Sequence, residues 1–109
     1  MDLRIDIEEH PDYVIGKVNG EISLKTIAFA KQQLKLLAGC PQPVIILDMS
    51  GLEYIDSSGL GTLVSQHQIL KDQNKNLKVA RLRSSTRSIF QAIALDKILC
   101  LEDDIPTTT

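Results

Sequence analysis

The sequence predicts an α/β domain: a mixed β-sheet of about five strands, with a β-hairpin at one end and parallel βαβ crossovers through three to four helices. Three observations carry this. The apolar run Val44-Ile45-Ile46-Leu47 has the character of a strand buried on both faces. Segments 27–37 and 57–73 place apolar residues at helical spacing. Strands separated by helices imply right-handed parallel crossovers.

Taken in order, Leu3-Arg4-Ile5-Asp6-Ile7 alternates apolar and polar, as an edge strand with one wet face does. Glu8 to Asp12, with Pro11, makes a turn, and Tyr13 to Val18 returns as the second strand, ended by Asn19-Gly20. Ser23 is placed to cap the first helix; Ile27, Ala30, Leu34 and Leu37 share its inner face, and Gly39 stops it. The central strand is expected at Val44 to Asp48. The second helix runs from Ser57 to about Gln73, with Leu60, Leu63, Val64, His67 and Leu70 on one face. His67 is a boundary residue there. Leu77 to Ala80 is a fourth strand. Ser84 or Ser85 caps a third helix with Ile89, Phe90 and Ile93 inward, and Lys97 to Leu101 is a last short strand. One domain is expected over residues 1–105, followed by a disordered tail at 106–109.

Composition narrows the function. The chain has 109 residues, enough for one core. Its formal net charge of -2 offers no basic stripe for nucleic acid. No apolar run approaches the roughly 20 residues that cross a bilayer, and the N-terminus is not a signal peptide. A cytoplasmic protein with no membrane association is the expectation. Cys40 and Cys100 lack Cys-x-x-Cys spacing and read as reduced, buried thiols. No metal-ligand cluster or nucleotide-binding motif is visible, and no cofactor is expected.

The densest signal is Asp56-Ser57-Ser58-Gly59-Leu60-Gly61, just past the apolar strand. Asp56 suits an N-cap, because its carboxylate accepts backbone N–H groups left free at a helix start. Ser57 is then the first helical residue, with its hydroxyl free of capping duty. Ile55 and Leu60 are spaced as a hydrophobic staple. Gly59 and Gly61 leave the first turn bare for a close approach by another protein. The plain alternative is that Ser57 and Ser58 are helix-start residues and no more. Catalysis is the poorer reading, since a nucleophilic serine needs a base within reach. Of the two histidines, His10 sits in a turn and His67 lies ten residues along the helix, roughly 15 Å at 1.5 Å per residue.

These residues resemble the STAS domain signature. Leu47-Asp48 through Leu52, then Tyr54 through Gly61, carry the resemblance, together with Gly20-Glu21-Ile22 upstream and Ser88-Ile89-Phe90 and Leu95 downstream. Within the family the chain is most similar to stand-alone bacterial anti-sigma factor antagonists. The resemblance implies a STAS-like sheet and a non-enzymatic regulator. It implies an anti-sigma factor that is also a serine kinase as partner, and a serine phosphatase that reverses the mark. The phosphoacceptor it implies is Ser57, with Ser58 the alternative. Glu21, Ser23, Tyr54, Asp56, Ser58, Gly59 and Leu60 would make up the helix start and partner-binding surroundings. The sequence departs from the family pattern at Ser23, where an aspartate is common, and at Ile93-Ala94, where many relatives carry a Ser-Gly or similar pair. It also ends where relatives often have a final helix.

Three further features are open on sequence alone. Arg81, Arg83 and Arg87 flank the third helix and suit either a solvated rim or an acidic partner. Ile69 falls opposite the apolar face of the second helix. Oligomeric state is not determined. The competing reading is a STAS scaffold in a stress-sensing complex or a lipid transporter, which would present the same helix start.

Overall fold

The computed structural model describes residues 2–105; the tail expected at 106–109 lies outside them. Five strands form one sheet in chain order: β1 (Leu3–Glu9), β2 (Tyr13–Ile22), β3 (Val44–Ile55), β4 (Asn76–Ala80) and β5 (Cys100–Glu102). β1 and β2 pair antiparallel, and every other pair is parallel. Three helices connect the parallel strands: α1 (Ile27–Ala38), α2 (Ser57–Asp72) and α3 (Ser84–Ala92). This is the mixed sheet with a terminal hairpin that the sequence predicts.

The crossovers all step the same way across the sheet, so usual right-handed connections put all three helices on one face. Leu34 and Leu37 of α1, Leu63 and Leu70 of α2 and Phe90 of α3 share one core with Val14, Ile45, Leu47 and Val79 of the sheet. The opposite face has a small apolar patch, Ile15, Ile46 and Ala80, against which Ile105 packs. Sheet order never reverses. The fold therefore lacks the crevice that doubly wound sheets form at a switch point.

Several boundaries move. The central strand continues to Ile55 rather than ending at Asp48. Past Asp48 it has only β2 as a neighbour, which follows it because β2 also continues, through Gly20 to Ile22. Asn19-Gly20 is a bulge, not a strand end: the register shifts on either side, and Gly20 takes φ of 109°, open to glycine alone at little cost.

Ser23 does not cap α1. The N-cap position is Thr26, without a side-chain cap bond, and Ser23 is buried in the turn before it. Neither Ser84 nor Ser85 caps α3, whose N-cap is Arg83. On α3 only Thr86 and Phe90, one turn apart, face the core. Ile89 and Ile93 are 40% and 52% exposed, against expectation.

On α2 the buried set is Gly59, Leu60, Leu63, Gln66 and Leu70, with His67 at the boundary. The last strand is shorter than expected. A 3₁₀ turn at Leu95–Lys97 precedes it, because Leu95 and Leu99 are both buried at helical spacing. Cys40 is half-buried and Cys100 exposed, so neither is the buried thiol expected.

Candidate functional site

The strand-to-helix junction is built by one carboxylate. Asp56 is extended (φ -107°, ψ -174°) and stands at the N-cap of α2. Its Oδ1 accepts the Gly59 N–H at 3.0 Å, and its Oδ2 accepts the Leu24 N–H at 3.0 Å. The same side chain thus caps α2 and ties down the loop before α1. These N–H groups, Gly59 first, hold the Asp56 carboxyl below the ordinary aspartate range. The backbone adds a further tie, Asp56 N–H to Ile22 O at 3.2 Å.

Ser57 follows as the first residue of α2 and is exposed. Its place outside the cap leaves its hydroxyl to solvent. Ser58 is half-buried, and its carbonyl accepts the Thr62 hydroxyl at 2.8 Å. Ile55 and Leu60 are both buried in the main core, as a staple requires. Leu60 is therefore a packing residue of the helix start and presents little to a partner. Gly59 is buried as well. A Cβ there would lie 2.5 Å from Ile22 O and 2.7 Å from Ile55 Cγ1, so glycine lets α2 sit on the ends of β2 and β3. Its bareness serves the fold. Only Gly61, where an added Cβ would meet nothing within 4 Å, is bare toward the outside.

Glu21 and Tyr54 are register partners at the ends of β2 and β3, one residue before Ile22 and Ile55. Tyr54 is 54% exposed. The Ser23 hydroxyl donates to Glu21 Oε2 at 2.6 Å and its N–H donates to Thr26 Oγ1 at 2.9 Å. Glu21, Ser23, Tyr54 and Asp56 are thus gathered at one end of the sheet around the Ser57 helix start. Glu53, exposed on β3, adds to the acidic character there.

Sequence reasoning missed two members. Leu24, 75% exposed, is held beside this junction by its bond to Asp56. Thr26 braces the same loop by donating from Oγ1 to Glu21 O at 3.0 Å. Exposure of a loop leucine leaves no periodic trace, so neither had a signal.

Neither histidine approaches Ser57. His67 lies ten residues along α2. His10 begins the hairpin turn, where its ring stacks on Tyr13 at 4.4 Å and meets Glu8 Oε2 at 2.7 Å. That is the far end of β2 from Ile22, about 30 Å away at 3.3 Å per residue. The three arginines that flank α3 are engaged within the chain. Arg81 bridges the buried Asp48 at 3.3 Å and Asp104 at 2.6 Å, Arg83 donates to Ser50 O at 2.9 Å, and Arg87 pairs with Asp103 at 3.0 Å. Among the described residues no group of His, Cys, Asp and Glu could hold a metal ion, and no helix is long and apolar enough to cross a membrane.

Known proteins resemble this chain over nearly its whole length. The chain is 24% identical over 105 residues to the anti-sigma F factor antagonist of Paenibacillus polymyxa, covering 95% of this chain and 90% of that protein. Its fold superposes with a TM-score of 0.85 on the crystal structure of an anti-sigma factor antagonist from Mycobacterium paratuberculosis, at 24% identity and covering 95% and 88% of the two chains. It also resembles the Bacillus cell fate determinant SpoIIAA solved in its phosphorylated form, with a TM-score of 0.68, 17% identity and 90% of each chain covered. The STAS domain family matches residues 4–108, nearly the full sequence. The chain belongs to the STAS domain family.

Proposed function

We propose that this protein is an anti-sigma factor antagonist switched by phosphorylation of Ser57. In its unmodified form it binds an anti-sigma factor that is also a serine kinase, which frees a sigma factor in the cytoplasm. A serine phosphatase restores the unmodified form. The observation that carries the reading is the exposed first-turn hydroxyl of Ser57, outside a cap that Asp56 already fills. The similarity to proteins named anti-sigma factor antagonists supports it, as does the fold likeness to a protein solved phosphorylated.

The switch is electrostatic. A phosphate adds roughly -1.5 to -2 charges. A helix N-terminus tolerates that charge. A partner that closes over Ser57 does not: taking the new dianion out of water without a matching charge costs several kcal/mol, and about 3 kcal/mol is roughly a hundredfold in affinity. Neither histidine is within reach to activate Ser57, which favours the serine as a substrate over a nucleophile.

Incubation with ATP and the cognate anti-sigma factor kinase, followed by intact mass measurement and peptide mapping, tests this. Wild type gains one phosphate on Ser57, Ser57→Ala gains none, and Ser57→Asp binds the kinase roughly a hundredfold more weakly than Ser57→Ala. A phosphate on Ser58, or equal affinities for the two variants, overturns the assignment.

A further inference from the structure

Helices α1 and α2 do not close against each other on their outer side. A groove of about 830 Å³ lies between them, a size typical of preformed binding sites, roughly 300–1,000 Å³. Its origin is in the sequence of α2. Ser58, Gly61, Thr62 and Ser65 line it, and none is large enough to fill the gap. The α1 side carries Lys31 and Lys35, both exposed and neither in an ion pair among the described residues. Ile69, 46% exposed, adds an apolar contact to the lining. The groove begins at Ser57 itself and extends to Gln73 beyond the last turn of α2, about 24 Å at 1.5 Å per residue.

Its walls are fixed by hydrogen bonds at three levels. Near Ser57, Asp56 accepts the Leu24 N–H. Midway, the buried Gln66 reaches across and donates from Nε2 to Leu34 O at 3.1 Å. At the far end Lys75 Nζ donates to Ala38 O at 2.8 Å and to Cys40 O at 2.6 Å. A groove braced along its length gives up little conformational freedom when it is filled.

We propose that this groove docks an acidic segment, carrying an apolar anchor for Ile69, of the same kinase that modifies Ser57. The proposal rests on the reading of Ser57 as phosphoacceptor and deepens it by naming a second contact. Two observations select this occupant. The groove is continuous with Ser57, so whatever reaches that hydroxyl passes its mouth. The charges along the surface also change sign: Glu53 and Asp56 at the serine are acidic, while the α1 wall is basic. A partner that lays an acidic stretch along the lysines of α1 is set in one direction along the groove, with its kinase site at the serine. The groove sets that orientation and the affinity, and the serine receives the chemistry.

The test uses the full chain and the purified cognate anti-sigma factor kinase, with binding and phosphorylation measured separately. One variant reverses the wall charge, Lys31→Glu with Lys35→Glu. The other fills the groove, Gly61→Trp, at a position where an added Cβ meets no atom within 4 Å. Each is expected to weaken kinase binding at least about tenfold and to raise KM with kcat little changed. The charge-reversal deficit should shrink with added salt. Thermal melts confirm that both variants fold. Kinase affinity unchanged in both variants overturns the groove, while phosphorylation on Ser57 leaves the proposed function standing. Groove-dependent binding without modification of Ser57 supports the groove and removes the phosphoacceptor reading. Failure of wild type to bind the kinase overturns both.

Discussion

One methyl group separates the roles of the two glycines in the first turns of α2. At Gly59 a Cβ would meet Ile22 O at 2.5 Å and Ile55 Cγ1 at 2.7 Å, backbone and packed core that cannot step aside. Gly59→Ala should cost about 1–3 kcal/mol, as overpacking does. At Gly61 nothing lies within 4 Å, so Gly61→Ala gains helix propensity and should stabilise by about 0.5–1 kcal/mol. Urea midpoints of the two variants should therefore move in opposite directions, and a shared direction would contradict the packing described. Sequence shows two glycines two residues apart and nothing to tell them apart. Asp56 was legible in sequence as an N-cap, because the cap is a local interaction. Its second bond, to Leu24, spans 32 residues and was not.

At the scale of the element, α1 and α2 were legible because long amphipathic periods average over local noise. α3 has nine residues and two buried ones, too few for periodicity to choose its inward stripe. Ile89, Phe90 and Ile93 are all apolar, and the sheet below accepts only Phe90. Phe90→Ala should lose about 3–5 kcal/mol, as a fully buried aromatic does. Ile89→Ala should lose less than about 1 kcal/mol. Chemical denaturation of both variants measures the contrast, and comparable losses would place Ile89 in the core after all. The length of β3 was hidden for a related reason. Beyond Asp48 it loses β4 as a neighbour and buries only Met49, Leu52 and Ile55, so its sequence stops resembling the unbroken apolar run that precedes it. Ala94 sits in the left-handed region at φ 61°, the conformation that glycine adopts freely.

For the molecule as a whole, the question is what a phosphate does to a chain of net charge -2. It nearly doubles that charge, yet it falls at the positive end of the α2 dipole and outside the core. The stability of the phosphorylated and unmodified proteins should agree within about 1 kcal/mol. Parallel denaturation curves check this, and a larger loss would mean that the mark acts by loosening the fold rather than by repelling a partner. One-directional strand order also places every helix on one face, so α1 and α2 lie side by side and the groove opens next to the serine. No segment of the sequence announces a groove. It arises where small residues of one helix face lysines of another, with the whole of β3 between them in the chain.

By itself the sequence determined the kinds and order of the elements, the hairpin at one end, the cap at Asp56 and the outward first-turn serine. Each of these is set by neighbours within a few residues or by a repeating apolar period. Tertiary structure alone decided where β2 and β3 end, which residues of α3 turn inward, what the arginines hold and how Leu24 and the α1 wall stand beside Ser57. Those outcomes depend on which distant segments share a face, and pairwise contact across the sheet leaves no trace in local sequence.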